Sequence, residues 1–385
     1  MTAWRTSPSR SRAGARRCSA TPGRSSVPEA GPGPAPVLLA DHTTLRLGGP
    51  ARRFVEATTT DELVAVVRAA DAAGEPVLLV AGGSNLVVAD AGFDGTVVKV
   101  ATRGVVADHD AEGGDAASCS GVTVTVAAGE PWDPFVARAV TAGWVGLEAL
   151  SGIPGAVGST PVQNVGAYGQ EVADTIASVR TWDRAEDRQR TFLAADCGFG
   201  YRHSRFKAEP DRYLVLEVTF QLRVGRLGGP VRYAELARTL GVEPRERAPL
   251  ADVRRAVLAL RSGKGMVLDD ADPDTWSAGS FFTNPILDAE QAAALPAEAP
   301  AFPQPDGRVK TSAAWLIDHA GFGKGYAVRP DARASLSTKH ALALTNRGGA
   351  TTAELLELAR TVRDGVERAY GVRLVNEPVT VGCAL

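Results

Sequence analysis

At 385 residues the chain exceeds one ordinary hydrophobic core, so two or three domains are expected, and 44% apolar with 22% charged residues is the balance of a globular, non-membrane protein. A formal net charge of −2 gives no general pull towards nucleic acid or an anionic membrane, and no apolar run approaches a membrane span. Four scattered cysteines (Cys18, Cys119, Cys197, Cys383) exclude both a clustered zinc site and a disulfide scaffold, so no metal is expected and a reducing cytoplasm is the expected home.

Residues 1–36 combine Ser, Arg, Gly, Ala and Pro without periodicity. Six arginines stand against one glutamate there, about +5, which leaves about −7 for the remainder. Such a segment buries too little apolar surface to offset its ordering entropy and is expected to be disordered. It reads either as an arginine-rich leader or as an extension from a misassigned start.

Folded sequence is expected from Val37. Thr59-x-x-Glu62 is a capping-box pattern ahead of DELVAVVRAADAAG, a helix stopped by Gly74. Val77 to Val80 reads as a buried strand, Gly82-Gly83-Ser84-Asn85 as a tight turn and Leu86 to Val88 as a second strand. GTVVKV (95–100) and VTVTVAAG (122–129) are further strands, with a surface loop at 104–120 between them. FVARAVTAG is a short helix leading into the glycine-punctuated stretch 147–171. Strands and short helices alternate irregularly after about 175, and VGRLGG (224–229) marks a boundary. ADVRRAVLALRSG is a helix. Thr351-x-x-Glu354 caps another, with Leu355, Leu358, Ala359, Val362, Val366 and Ala369 on one face and Gly371 at its end. The architecture expected is α+β.

Two familiar phosphate motifs fail. No G-x-G-x-x-G follows a strand, and RSGKG (261–265) has Leu258 and Gly265 where a Walker A motif needs glycine and Ser/Thr. AGGSNL (81–86) and SGIPGAVGSTPVQNVGAYG (151–169) remain. Each is either an elaborate turn or a nest of backbone N–H groups aimed at an anion; two in one chain tilt towards a dinucleotide cofactor. In SAGSFFTNP, Ser280 has no glycine two residues to either side, so the nucleophile-elbow reading fails.

Taken in order, GGSNL, SGIPGAVGSTPVQNVGAYGQE, FGYRHSRFK, SAGSFFTNP and NEPV resemble the UDP-N-acetylmuramate dehydrogenase family, also called UDP-N-acetylenolpyruvoylglucosamine reductases, over about residues 38–382. The resemblance implies a vanillyl-alcohol-oxidase-type FAD-binding domain at 37–228 (subdomains about 37–103 and 104–228) and a C-terminal α+β substrate-binding domain at 229–385. It implies non-covalent FAD, NADPH as hydride donor, and UDP-N-acetylglucosamine enolpyruvate as substrate in peptidoglycan synthesis, with the protein a monomer. Catalytic positions fall on Arg202, Ser280 and Glu377. In that role Arg202 would hold a carboxylate, Glu377 would donate a hydrogen bond if protonated, and Ser280 would act as an acid that needs no base. Phe281 and Phe282 would keep water out. Cofactor positions would be Gly82, Gly83, Ser84, Asn85, Leu86, Ile153, Pro154, Gly155, Gly158, Ser159, Thr160, Gln163, Asn164, Gly166, Ala167 and Tyr168. Substrate positions would be Tyr233, Lys264 and Asn284, and His319 and His340 would be structural. An FAD-dependent carbohydrate or aldonolactone oxidase on the same cofactor fold stays open as the alternative.

Overall fold

The computed structural model describes residues 35–109 and 121–385; the leader up to residue 34 and the loop 110–120 lie outside the described residues. Pro36–Leu385 forms one unit. Its first layer is a three-stranded parallel sheet ordered Ala51–Ala57, Phe93–Val100, Val77–Val80, with Val55 opposite Val98 and Leu78 opposite Val97. The helix Thr60–Ala72 buries Leu63, Val67 and Ala70, one i, i+4, i+7 stripe. Thr59 Oγ1 accepts from Glu62 N at 3.2 Å, but the Glu62 carboxylate accepts from Thr58 N rather than Thr59 N, so the box is half closed.

A larger sheet follows, ordered Arg188–Leu193, Ile176–Asp183, Tyr213–Val224, Gly121–Ala127, Val105–His109, with Trp144–Val145 also pairing to Tyr213–Val224. One expectation changes here: Val105–His109, within the expected loop, is an antiparallel edge strand against Gly121–Ala127. The strands expected after 175 are Ile176–Asp183, Arg188–Leu193 and Tyr213–Val224, all antiparallel in this sheet, with the short helix Arg205–Ala208 among them. Trp132–Thr141 packs on it, with Phe135 and Phe220 ring centroids 5.4 Å apart.

The carboxyl-terminal part is built of short pieces around one long helix. Thr352–Tyr370 buries Leu355, Leu358, Ala359, Val362 and Val366; Ala369 is exposed in its last turn, and Gly371 ends the helix at φ +65°. Both arms of the Thr351 capping box are made. Phe281, Phe282, Leu316 and Leu344 share that helix's core, and Leu45, Leu47 and Val87 from the amino-terminal part join it. Val379–Val381 pairs in parallel with Leu86–Val88. Among the described residues no helix is long and apolar enough to cross a membrane, and no group of His, Cys, Asp and Glu is placed to hold a metal.

Candidate active site

The two glycine-rich segments touch. A Cβ on Gly82 would lie 2.4 Å from Gly155 Cα, and one on Gly83, at φ +60°, would lie 1.9 Å from His42 O. Only glycine permits either approach. Ser84 Oγ donates to Pro154 O at 3.1 Å, and Asn85 Nδ2 donates to Gln163 Oε1 at 3.0 Å. The long segment is tied down behind: Trp132 Nε1 donates to Leu150 O, and Gly152 N donates to Asp133, which Arg254 grips with two nitrogens.

Between the segments opens a cavity of about 380 Å³, lined from the first by Gly83, Ser84, Asn85 and Leu86 and from the second by Ile153, Pro154, Gly158, Ser159, Gln163, Gly166 and Ala167. Arg202, Ser280 and Glu377 line the same cavity. The other expected cofactor positions are not among the residues lining this cavity. Gly82 and Gly155 back each other, and Thr160 Oγ1 donates to Val157 O within its own turn. Tyr168 packs edge-on to Tyr233 at 5.4 Å, and Asn164 is buried behind the wall.

Arg202 takes φ +51°, a left-handed backbone that costs a non-glycine residue energy. Its Nη2 donates to Gly166 O at 2.9 Å, and its Nε lies 3.0 Å from Glu377 Oε1. That Nε–H is not aimed at the oxygen, so the contact is an ion pair rather than an aligned hydrogen bond, which leaves the guanidinium with unused donor capacity. Glu377 also accepts from Gln163 Nε2 at 3.3 Å. Burial pushes its carboxyl above the usual carboxylate range, and the charges of Arg202 and Lys207 oppose that rise without cancelling it.

Glu377 and Ser280 are brought together by backbone pairing: Glu377 N donates to Phe281 O at 2.8 Å and Thr283 N to Val375 O at 3.0 Å. Ser280 Oγ has no hydrogen-bond partner among the described residues. Phe281 and Phe282, each 1% exposed, lie in the core rather than at the cavity wall, so they anchor the Ser280 loop from beneath instead of shielding the site from water.

Residues 51–191 match the family model described as FAD binding domain, and residues 272–381 match UDP-N-acetylenolpyruvoylglucosamine reductase, C-terminal domain. UDP-N-acetylenolpyruvoylglucosamine reductase of Cutibacterium acnes is 62% identical over 349 residues, covering 91% of this chain and 90% of the relative. That of Thermobifida fusca is 57% identical, covering 91% and 98%. The chain belongs to the UDP-N-acetylenolpyruvoylglucosamine reductase family. The crystal structure of the reductase from Thermus caldophilus superposes with a TM-score of 0.59 at 27% identity, covering 90% of this chain and 98% of that one. The protein is therefore an FAD-dependent oxidoreductase of peptidoglycan synthesis, with the α+β flavoprotein fold expected from its motifs.

The enzyme's cavity suits such a cofactor, because Gly83, Gly158 and Gly166 form part of its wall and glycines let backbone N–H groups approach an anion. Arg261 adds a charge that sequence reading missed. It lines the cavity, donates to Met266 O at 2.8 Å, and keeps a buried Nε without a partner. The available signal was its place three residues before Lys264 at the end of the Leu250–Gly263 helix. Lys207 was also missed; its Nζ donates to Arg202 O at 3.1 Å. Of the expected substrate positions, Lys264 pairs with Glu235 at 2.6 Å and Tyr233 is half exposed beside Tyr168. Asn284 Oδ1 accepts from Ala313 N at 3.0 Å. None of the three lines the cavity itself.

Proposed function

We propose that the enzyme catalyses the NADPH-dependent reduction of UDP-N-acetylglucosamine enolpyruvate to UDP-N-acetylmuramate. One observation carries this reading: a guanidinium, a buried carboxyl with a raised pKa and an unbonded serine hydroxyl converge on the cavity formed by the two glycine segments. FAD, held by Gly83–Leu86, Ile153, Pro154, Gly158, Ser159, Gln163, Gly166 and Ala167, supplies the hydride when bound.

Hydride addition to the terminal carbon of the enolpyruvyl ether leaves an electron pair on the neighbouring carbon, delocalised into the carboxylate. Arg202, with donors left over from Gly166 and Glu377, holds that carboxylate. Glu377, when protonated, donates a hydrogen bond to the developing charge, and its burial shifts the pKa in the direction that favours that form. Ser280 Oγ–H then protonates the carbon. The ether oxygen is never displaced, so one hydride and one proton account for the product. A serine serves as the acid here because the carbanion is a far stronger base than an alkoxide, so no partner base is needed.

Lys264, Tyr233 and Asn284 recognise the nucleotide and diphosphate of the substrate, Lys264 as a point charge. The chain divides into a cofactor part at 37–228 and a substrate part at 229–385, although the core around Phe281 also takes Leu45, Leu47 and Val87. The test is anaerobic: bleach the flavin with NADPH, then add UDP-N-acetylglucosamine enolpyruvate. Return of the flavin absorbance supports the reductase; restoration by oxygen alone overturns it in favour of an oxidase.

A further inference from the structure

Asn164 stands next to Gln163 in the glycine-rich segment and was expected to touch the cofactor, yet it is 1% exposed and absent from the cavity wall. Its backbone is left-handed, at φ +45°. Every donor it owns is used within the protein. Nδ2 donates to Glu171 Oε2 at 2.7 Å and to Gly200 O at 3.1 Å, while Oδ1 accepts from Ala173 N at 3.1 Å.

Gly200 opens the turn that carries Arg202. Gly200 N donates to His203 O at 3.0 Å and His203 N to Gly200 O at 3.2 Å, with Tyr201 and Arg202 between them. Arg202 occupies the third position of this turn at φ +51°, where glycine or asparagine is the usual occupant. Something outside the turn must hold that conformation. Lys207 Nζ, donating to Arg202 O, is one such hold, and three more come from one five-residue stretch. Ser204 Oγ donates to Val162 O at 2.5 Å, Asn164 Nδ2 reaches Gly200 O, and Arg202 Nη2 donates to Gly166 O. Residues 162, 164 and 166 thus grip the turn at its far end, its near end and its guanidinium.

We propose that Asn164 is a positioning residue for Arg202. Its amide clamps the Gly200–His203 turn in the left-handed form that aims the guanidinium at Glu377 and the substrate carboxylate. The inference rests on Arg202 being the carboxylate holder. It separates two half-reactions: flavin reduction by NADPH needs no enolate stabilisation, whereas flavin reoxidation by the enolpyruvyl substrate does.

The test uses the full-length holoenzyme. Asn164→Asp removes the donor to Gly200 and sets a second carboxylate against Glu171. Asn164→Asp with Glu171→Gln restores a hydrogen bond between positions 164 and 171 but still offers Gly200 O no donor. Asn164→Asp should retain flavin and leave the reduction rate within about threefold. Its reoxidation rate at saturating substrate should fall about 10- to 100-fold, the cost of a misplaced reacting group. The paired exchange should recover the melting temperature without recovering reoxidation. In an Arg202→Ala background the Asn164→Asp effect should vanish, since it acts through that side chain. Recovery of reoxidation together with melting temperature would reduce Asn164 to a structural residue and overturn the proposal. Loss of flavin with normal reoxidation in the remaining holoenzyme would make it a cofactor contact instead. If Asn164→Asp does not fold, Asn164→Ala is read the same way. Failure of the unaltered enzyme to reoxidise with this substrate would defeat the functional reading itself, a result distinct from all of these.

Discussion

Ser280→Ala isolates the proposed proton donor with little else disturbed. The loop is held by backbone bonds, Phe281 N to Leu342 O at 2.8 Å and Glu377 N to Phe281 O at 2.8 Å, and by the buried rings of Phe281 and Phe282. The hydroxyl itself binds no described residue, so its loss should change stability by under about 0.5 kcal/mol. Its loss from the reaction is costly. General acid catalysis contributes about 100- to 10,000-fold, which at 1.36 kcal/mol per tenfold is about 2.7 to 5.4 kcal/mol of transition-state stabilisation. Rapid-mixing absorbance under anaerobic conditions reads both halves of the cycle in one cuvette. NADPH should bleach the variant at the wild-type rate, and UDP-N-acetylglucosamine enolpyruvate should restore its colour at least a hundredfold more slowly. Restoration within about tenfold of wild type, with flavin content unchanged, would show that another group or water delivers the proton.

Four further outcomes follow from the geometry. A carboxyl whose folded pKa is raised favours folding below its unfolded value and loses that contribution as pH rises through the folded one, so Glu377→Gln should gain melting temperature relative to wild type at alkaline pH, and the fall of the reoxidation rate with rising pH should flatten in the variant. Burial, then the charges of Lys264, Lys324 and Arg261, lower the His340 pKa to about 4; neutral His340 therefore supports the fold above about pH 6.5 and withdraws that support as pH falls towards 4, and His340→Gln should shift acid unfolding to lower pH. Gly83→Ala drives a Cβ to 1.9 Å from His42 O at a left-handed φ, and the purified protein should be colourless with a melting temperature reduced by at least the equivalent of about 1 to 3 kcal/mol. Thr351→Ala removes the side-chain arm of the capping box at the head of the longest described helix, leaving the backbone N–H arm to Glu354, and should cost about 0.5 to 2 kcal/mol in denaturant titration, with kinetics unchanged.

The sequence yielded local structure best where one physical signal acted alone. The Thr351 box and the five buried residues behind it need only helical spacing. At Thr59 the same pattern closed only halfway, because the glutamate found the N–H one residue earlier. YLVLEVTFQLRV, Tyr213–Val224, was not bounded from the sequence, where strands and short helices were expected only in irregular alternation; its first four residues are buried without alternation, as a strand covered on both faces requires. Val105–His109 was hidden by the glycine and acid that follow it. The motifs identified the three residues that gather at the cavity, but spacing along a segment could not say which way a side chain points. Asn164 beside Gln163 does not line the cavity, its amide being taken by Glu171, Gly200 and Ala173, and Arg261 was overlooked because a helix-end arginine ordinarily faces water.

The pairing of Val379–Val381 with Leu86–Val88 has a consequence for biosynthesis. Asn85 and Glu377, 292 positions apart, meet across this seam, with Asn85 Nδ2 donating to Glu377 O at 3.4 Å. The strand Leu86–Val88 has no other strand partner among the described residues. While the chain emerges from the ribosome, that strand waits with its edge open, and the wall bearing Glu377 is absent. A polypeptide stopping before residue 374 would lack the partner strand and Glu377 together. Assembly of the cavity thus waits on a strand that follows its partner by about 290 positions, and until then the edge of Leu86–Val88 stays open.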